Sequence, residues 1–265
     1  MKPTTETRFE RAGGILECSI VPWDSEIFGF PVAQIDHVDL GEAKAPTGVF
    51  EAFETWCAQH DVRLVSCRLD HLRLRESMAL EDAGFRFVEM VYGLRLDSFD
   101  GISPPQRAIQ VAEATPGDLS AIEEIAHGAF TTGRFLLDPR LPPELSQRRY
   151  ATWVRNSFGS SGQTILKAEV DGDLAGFFIV EKRSGNGVYW HLTAIAPRGQ
   201  GKGVGTSVWR TMLLQHRTAG ATSVETTISA HNLPIINLYQ RLGFRFASAQ
   251  MTFHRLREPA AVKTP

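Results

Sequence analysis

At 265 residues the chain can hold one large domain or two modest ones, and it needs no disulfide or metal staple to fold. A hydrophobic fraction of 43% and a formal net charge of −2 are those of a soluble globular protein. The basic residues are spread along the chain, which argues against a nucleic-acid or membrane-surface partner.

The N-terminus, Met1–Arg11, is polar and charged, unlike a signal peptide, and no run approaches the ~20 apolar residues that span a bilayer. A cytoplasmic location follows as the expectation. Cys18, Cys57 and Cys67 lack metal-ligand spacing and read as buried free thiols, with no metal site.

In chain order, Val32–Val38 is extended in character, Val49–Gln59 helical and Val62–Leu69 a strand. Arg73–Ala83 reads as a helix closed by Gly84, and Arg86–Leu96 as a strand. Asp97–Arg107 carries Gly101, Pro104 and Pro105 and reads as a linker or crossover. A strand at Ile109–Ala114 meets Thr115, Pro116 and Asp118, which start a helix running to about Phe130. A loop over Thr131–Pro143 precedes a helix through Trp153 to Phe158. Strands follow at Thr164–Val170, Ala175–Lys182 and Val188–Ala196, the first two joined by a hairpin at Asp171–Asp173.

Leu80–Phe87 resembles Tyr239–Phe246: each closes a helix with glycine and enters a strand with an aromatic–Arg–aromatic run. Either glycine's common use at helix ends or a distant repeat of the two halves accounts for this.

The segment Ile195–Thr206 follows a strand and opens a helix whose Val204, Val208 and Met212 share a face. Glycines at 199, 201, 203 and 205 leave N–H groups unshielded at a helix start, where the macrodipole favours an anion such as a phosphate. Lys202 is followed by Gly203, so the Walker A pattern fails, and no frame supplies the dinucleotide spacing. A plain flexible turn is the simpler alternative.

What remains is Gln-x-x-Gly-x-Gly at Gln200, Gly203 and Gly205, with Asn232 and Tyr239 seven residues apart and Leu242-Gly243-Phe244 after them. With this set the chain resembles the GNAT superfamily of acyl-CoA N-acyltransferases from about Ala175 to Phe246. The resemblance implies an α/β (α+β) GNAT fold, a mixed, twisted central sheet flanked by helices. It would occupy residues 108–265, preceded by a smaller α/β domain at 1–100 that reads as a degenerate half-repeat.

The resemblance further implies acetyl-CoA as cosubstrate. Main-chain groups of Ala194 and Ile195 would hold the pantetheine arm and thioester. The loop Gln200, Gly201, Lys202, Gly203, Val204, Gly205 and Thr206 would hold the pyrophosphate, and Asn232 would contact the pantetheine. Tyr239 would protonate the departing thiolate, a role suited to a group of reference pKa ~10. Thr227 stands where many members carry a glutamate base. Glu181, His191 and Glu225 are the replacement candidates, and water relay from an amine of low pKa is the alternative.

Residues around Trp23–Gly29, Gly84–Glu89, Gly133–Phe135, Asp138-Pro139 and Trp153 resemble the dTDP-fucosamine acetyltransferase group, which acetylates the amino group of a nucleotide-linked amino sugar. On that resemblance Glu89 orients or deprotonates the amine, Arg134 meets a phosphate of the sugar nucleotide, and the first domain forms part of the acceptor pocket. The expected partner is a small-molecule amine, a dTDP-amino sugar first among them; a homodimer is compatible with this reading. The rivals are a GNAT enzyme for another small amine (an amino acid or polyamine) or for a protein N-terminus, and a coenzyme-binding module without turnover.

Overall fold

The structure, a computed structural model, describes residues 4–11, 14–41, 47–199 and 203–257. By packing the chain forms two units, one of residues up to Met90 together with those from Ala249, the other Val91–Ser248.

The first unit opens with β1 (Thr4–Arg11), β2 (Gly14–Ile20), α1 (Pro22–Phe28) and β3 (Val32–Asp39). It continues with α2 (Thr47–Gln59), β4 (Leu64–Asp70), α3 (Leu74–Asp82) and the start of β5 (Arg86–Leu96). The three elements before β3 were not anticipated, although β2 carries a readable signal. Its Leu16 and Cys18 alternate with polar Glu17 and Ser19, and both are fully buried. β1, β2 and β3 pair antiparallel, β3 and β4 parallel across α2, and β4 pairs antiparallel with Gln250–Leu256 of the last strand, β11 (Arg245–Leu256). Phe53, Trp56, Leu80, Phe85 and Phe253 fill the core with the three cysteines. Burial raises all three thiols, Cys18 and Cys57 to about 12, so they are inert packing groups.

The second unit contains β6 (Gln110–Glu113), α4 (Leu119–Ala129), the single turn α5 (Arg134–Leu137) and α6 (Pro143–Phe158). Then come β7 (Thr164–Val170), β8 (Asp173–Lys182), β9 (Gly187–Ile195), α7 (Val204–Thr218), β10 (Ser223–Ser229) and α8 (Leu233–Arg241). The capping box before α4 forms as expected, with Thr115 N–H donating to Asp118 Oδ2 at 2.8 Å. Asp171 and Gly172 both take positive φ, which makes the β7–β8 link a type I′ hairpin turn. The segment expected as a loop at Thr131–Pro143 carries α5.

Asp97–Arg107, expected as a linker, belongs to this unit. Phe99 is buried in its core, and Arg210 Nη1 donates to the Pro104 carbonyl.

The sheet of the second unit runs β5-β10-β9-β8-β7-β6, antiparallel except for the parallel pair β10–β9. Successive residues Phe177 and Phe178 of β8 point to opposite faces. Phe178 joins Trp190, Trp209, Met212 and Tyr239 under α7 and α8; Phe177 joins Ile122, Ile125 and Val154 under α4 and α6. Each of these large side chains contributes roughly 2–3 kcal/mol by leaving water.

Each half has one order: three antiparallel strands, a helix, a strand parallel to the third, a helix, and a closing strand. β5 closes the first run yet pairs with β10; β11 closes the second yet pairs with β4. The helices before them, α3 and α8, end at Gly84 (φ 84°) and Gly243 (φ 87°), the left-handed residues behind the repeated sequence.

Candidate active site

The parallel pair β9–β10 lasts four residues, from Gly187↔Ser223 to Trp190↔Thr226. Both strands continue past that point, each held only on its outer side. β9 stays paired to β8 as far as Ile195↔Gly176, and β10 to β5 as far as Ser229↔Val91. The seam between them therefore opens into a wedge, and the edges at 192–195 and 227–229 are unpaired across it.

A bulge causes the opening. Pairing along β8 steps from Val180↔Trp190 to Ile179↔Leu192, leaving His191 as the extra residue of β9. In a regular strand Trp190 and Leu192 would share a face. Here Trp190 packs under α7 and α8, and Leu192 under α4 and α6. At the apex Thr226 Oγ1 donates to the Trp190 carbonyl at 3.0 Å, replacing the ladder bond that the splay removes.

Beyond the wedge, the chain turns toward α7. A Cβ on Gly199 would lie 3.2 Å from Ile195 Cγ2, tighter than most such contacts, so a residue without a side chain suits that position at the end of β9. Gly203 is the N-cap of α7 and supplies no capping side chain, so the first-turn N–H groups lack the side-chain acceptor a Ser or Asp would bring. Gln200, Gly201 and Lys202 lie outside the described residues.

Tyr239 reaches the apex from α8. Its ring lies 4.8 Å from that of Phe244 and 6.5 Å from Trp190, and the side chain is 2% exposed. The hydroxyl sits beside Thr226, the last paired residue of β10, and Thr193, on the opened stretch of β9. Trp209 Nε1 is also near, without completing a hydrogen bond of normal geometry. Burial raises the phenol above its usual pKa; its contacts with Trp209, Thr193 and Thr226 pull the other way and are weaker. The group is therefore a protonated acid at neutral pH. Asn232, half-buried, stands at the N-terminus of α8, its N–H bonded to the Ser229 carbonyl at 3.0 Å.

Residues 121–244, which include the wedge, α7 and α8, match the family described as Acetyltransferase (GNAT). They form a GNAT acetyltransferase domain.

Over 246 residues the chain is 23% identical to the spore coat polysaccharide biosynthesis protein SpsD of Bacillus subtilis, covering 92% of this chain and 84% of that protein. It is 32% identical over 121 residues to the L-2,4-diaminobutyric acid acetyltransferase of Nocardia farcinica, covering 45% of this chain and 60% of that enzyme. A GCN5-related N-acetyltransferase from Sphaerobacter thermophilus shares the fold at a TM-score of 0.66 and 14% identity, over 96% of this chain and 84% of that one. The protein is an acetyl-CoA-dependent acyltransferase.

The GNAT domain holds Ala194, Ile195, Gly203, Val204, Gly205, Thr206, Asn232 and Tyr239 within one unit. It also holds Arg134, at the start of α5. The Arg134 and Arg149 guanidinium carbons lie 4.7 and 5.0 Å from the centroid of Phe135, and Arg149 also lies over Trp153 at 5.7 Å.

Glu89 belongs to the first unit. It is 2% exposed, its one ion pair is a loose 3.7 Å to Arg68 Nη2, and its Oε2 accepts no hydrogen bond among the described residues. Of the three alternatives for a base, Glu225 is bound to Arg95, whereas His191 and Glu181 are joined to each other at 2.6 Å. Thr193, Thr226 and Trp209 were not foreseen as site residues, because only the bulge and the ends of the pairing bring them together.

Proposed function

We propose that this protein is an N-acetyltransferase that moves an acetyl group from acetyl-CoA to a primary amine, the amino group of a nucleotide-linked amino-deoxy sugar. The observation that carries the transferase chemistry is the opened seam with the protonated Tyr239 hydroxyl at its apex.

The residues fit the cosubstrate. The unpaired edge of β9 at Ala194 and Ile195 offers main-chain donors and acceptors to an extended amide arm, as a missing strand would. The uncapped first turn of α7, with Gly203, Val204, Gly205 and Thr206, offers N–H groups and the positive end of a helix to a pyrophosphate. Gln200, Gly201 and Lys202 complete that loop by sequence, and Asn232 serves the pantetheine arm.

The bound coenzyme supplies the acyl group as a thioester. The wedge holds that carbonyl in place for an incoming amine, and most of the rate comes from this alignment. Tyr239 hands its proton to the departing sulfur.

For the acceptor, we assign Glu89 to the amine as its orienting carboxylate. A buried carboxylate with one loose partner and an unsatisfied oxygen is suited to receive an ammonium group. Arg134, with Arg149 on the same aromatic ring, is assigned to an acceptor phosphate, since guanidinium groups match phosphate oxygens. The similarity to SpsD, a polysaccharide biosynthesis protein, over 92% of the chain supports a sugar acceptor. The second reading, a small amino-acid amine, draws on the match to the diaminobutyric acid acetyltransferase, which reaches 45% of the chain.

Thiol release from acetyl-CoA with a panel of amines separates the readings. Turnover is expected with an aminodeoxy sugar nucleotide at a kcat/KM at least ten times that for 2,4-diaminobutyrate. The reverse order would replace the sugar with the amino acid, and coenzyme binding without turnover on any amine would remove the transferase reading.

A further inference from the structure

We infer that His191, held by Glu181, takes the proton from the acceptor's ammonium group and passes it to solvent. This deepens the transferase reading above and rests on it.

The geometry begins with the bulge. His191 is the residue that β9 carries in excess over β8, at the point where the seam opens, and a bulge re-aims the side chain it carries. Its ring lies 6.3 Å from Trp153 of α6 and 4.7 Å from Tyr189, on the face opposite Trp190 and Tyr239. The domain thus places a proton donor on one face of the opened strand and a proton acceptor on the other.

The tautomer follows from the partner. A carboxylate only accepts, so His191 Nε2–H donates to Glu181 Oε2 at 2.6 Å and the lone pair lies on Nδ1. No described residue hydrogen-bonds Nδ1. Burial is the larger influence on the ring and lowers its pKa, while Glu181 raises it and Arg183 lowers it further. The imidazole is therefore neutral near pH 7, and Glu181 stabilises the imidazolium once a proton arrives.

The other groups nearby do not compete for that proton. Arg183 is permanently charged, and its guanidinium lies over the Tyr189 ring at 5.0 Å. The Tyr189 hydroxyl is 3.3 Å from Thr227 Oγ1; α6 presents Trp153, against which Arg149 is stacked. Glu225 is bound to Arg95.

The proton balance closes. The acceptor nitrogen enters as –NH3+ and leaves as an amide N–H, so it loses two protons. One passes to His191 Nδ1 before the C–N bond forms and is released to solvent. The other leaves as the C–S bond breaks, and with Tyr239 as donor to sulfur it restores the phenol, directly or through water. No oxidant or further reactant is needed.

Two variants and a spectroscopic titration test this. His191→Gln is expected to lower kcat about 10²-fold or more at pH 7 with coenzyme Kd within twofold of wild type, and to erase the acidic limb of the kcat/KM profile. Glu181→Gln is expected to move that limb, and the ring ionisation of His191 followed by NMR in the coenzyme-free protein, to lower pH. An unchanged coenzyme Kd in both variants shows that the fold survives.

A wild type that turns over, with His191→Gln retaining both rate and acidic limb, overturns the assignment and leaves the transferase reading standing. A ring ionisation that ignores Glu181→Gln overturns the dyad without any activity measurement. A wild type that binds coenzyme and acetylates no amine overturns both readings.

Discussion

His216 gives the fold a pH sensitivity whose size follows from the structure. It lies on the inner face of α7, 7% exposed, and its Nε2 accepts a 3.0 Å hydrogen bond from Trp190 Nε1. Burial pushes its pKa down from 6.5 to about 4. Protonation would turn that acceptor into a donor facing a donor, inside the cluster that holds Tyr239.

The sign is fixed by linkage. Between pH 6.5 and about 4 the unfolded chain binds a proton that the native protein refuses, so stability falls as pH falls through that window. Each pH unit costs about 1.4 kcal/mol, which amounts to about 2 kcal/mol at pH 5 and about 3 kcal/mol in full. Urea unfolding followed by near-ultraviolet circular dichroism at pH 7, 6 and 5 measures it. His216→Gln keeps an acceptor for Trp190 without the charge. The gap in stability between wild type and variant is therefore expected to shift by about 2 kcal/mol in the variant's favour from pH 7 to pH 5. Parallel pH slopes for the two proteins would refute the reasoning.

Tyr239→Phe is expected to lower kcat about 10²–10⁴-fold with little change in coenzyme Kd, measured by single-turnover thiol release and calorimetry. Glu89→Gln is expected to raise the KM for the amine at least tenfold while coenzyme Kd holds, in steady-state kinetics. Thr226→Val removes the donor to the buried Trp190 carbonyl and is expected to cost roughly 1–3 kcal/mol in urea unfolding.

Much of this was legible in the chain. The Asp171-Gly172 turn, the capping box at Thr115 and the glycines closing α3 and α8 are local devices, in which neighbouring residues dictate φ and hydrogen bonding. The start of α7 was legible for the same reason, and Asn232 caps the short helix that carries Tyr239. The first thirty residues were harder to read. β1 and β2 are held by cross-strand pairs, and α1 spans only seven residues. The turn at Arg134 was missed because four residues give too short a period to recognise.

By itself the sequence determined most element types from β3 onward, the helix ends and the anion-friendly start of α7, because those rest on interactions within a few residues of one another. It also held the resemblance between Leu80–Phe87 and Tyr239–Phe246. Tertiary structure decided that β5 and β11 each pair with a strand of the other half, that the β9–β10 seam opens after Trp190, and that Thr193, Thr226 and Trp209 meet at the Tyr239 hydroxyl. It also decided which candidate bases are spoken for: Glu225 by Arg95, His191 and Glu181 by each other. The physical reason is register. A single extra residue at His191 reverses the faces of everything after it, and only the pairing with β8 reveals that the residue is extra.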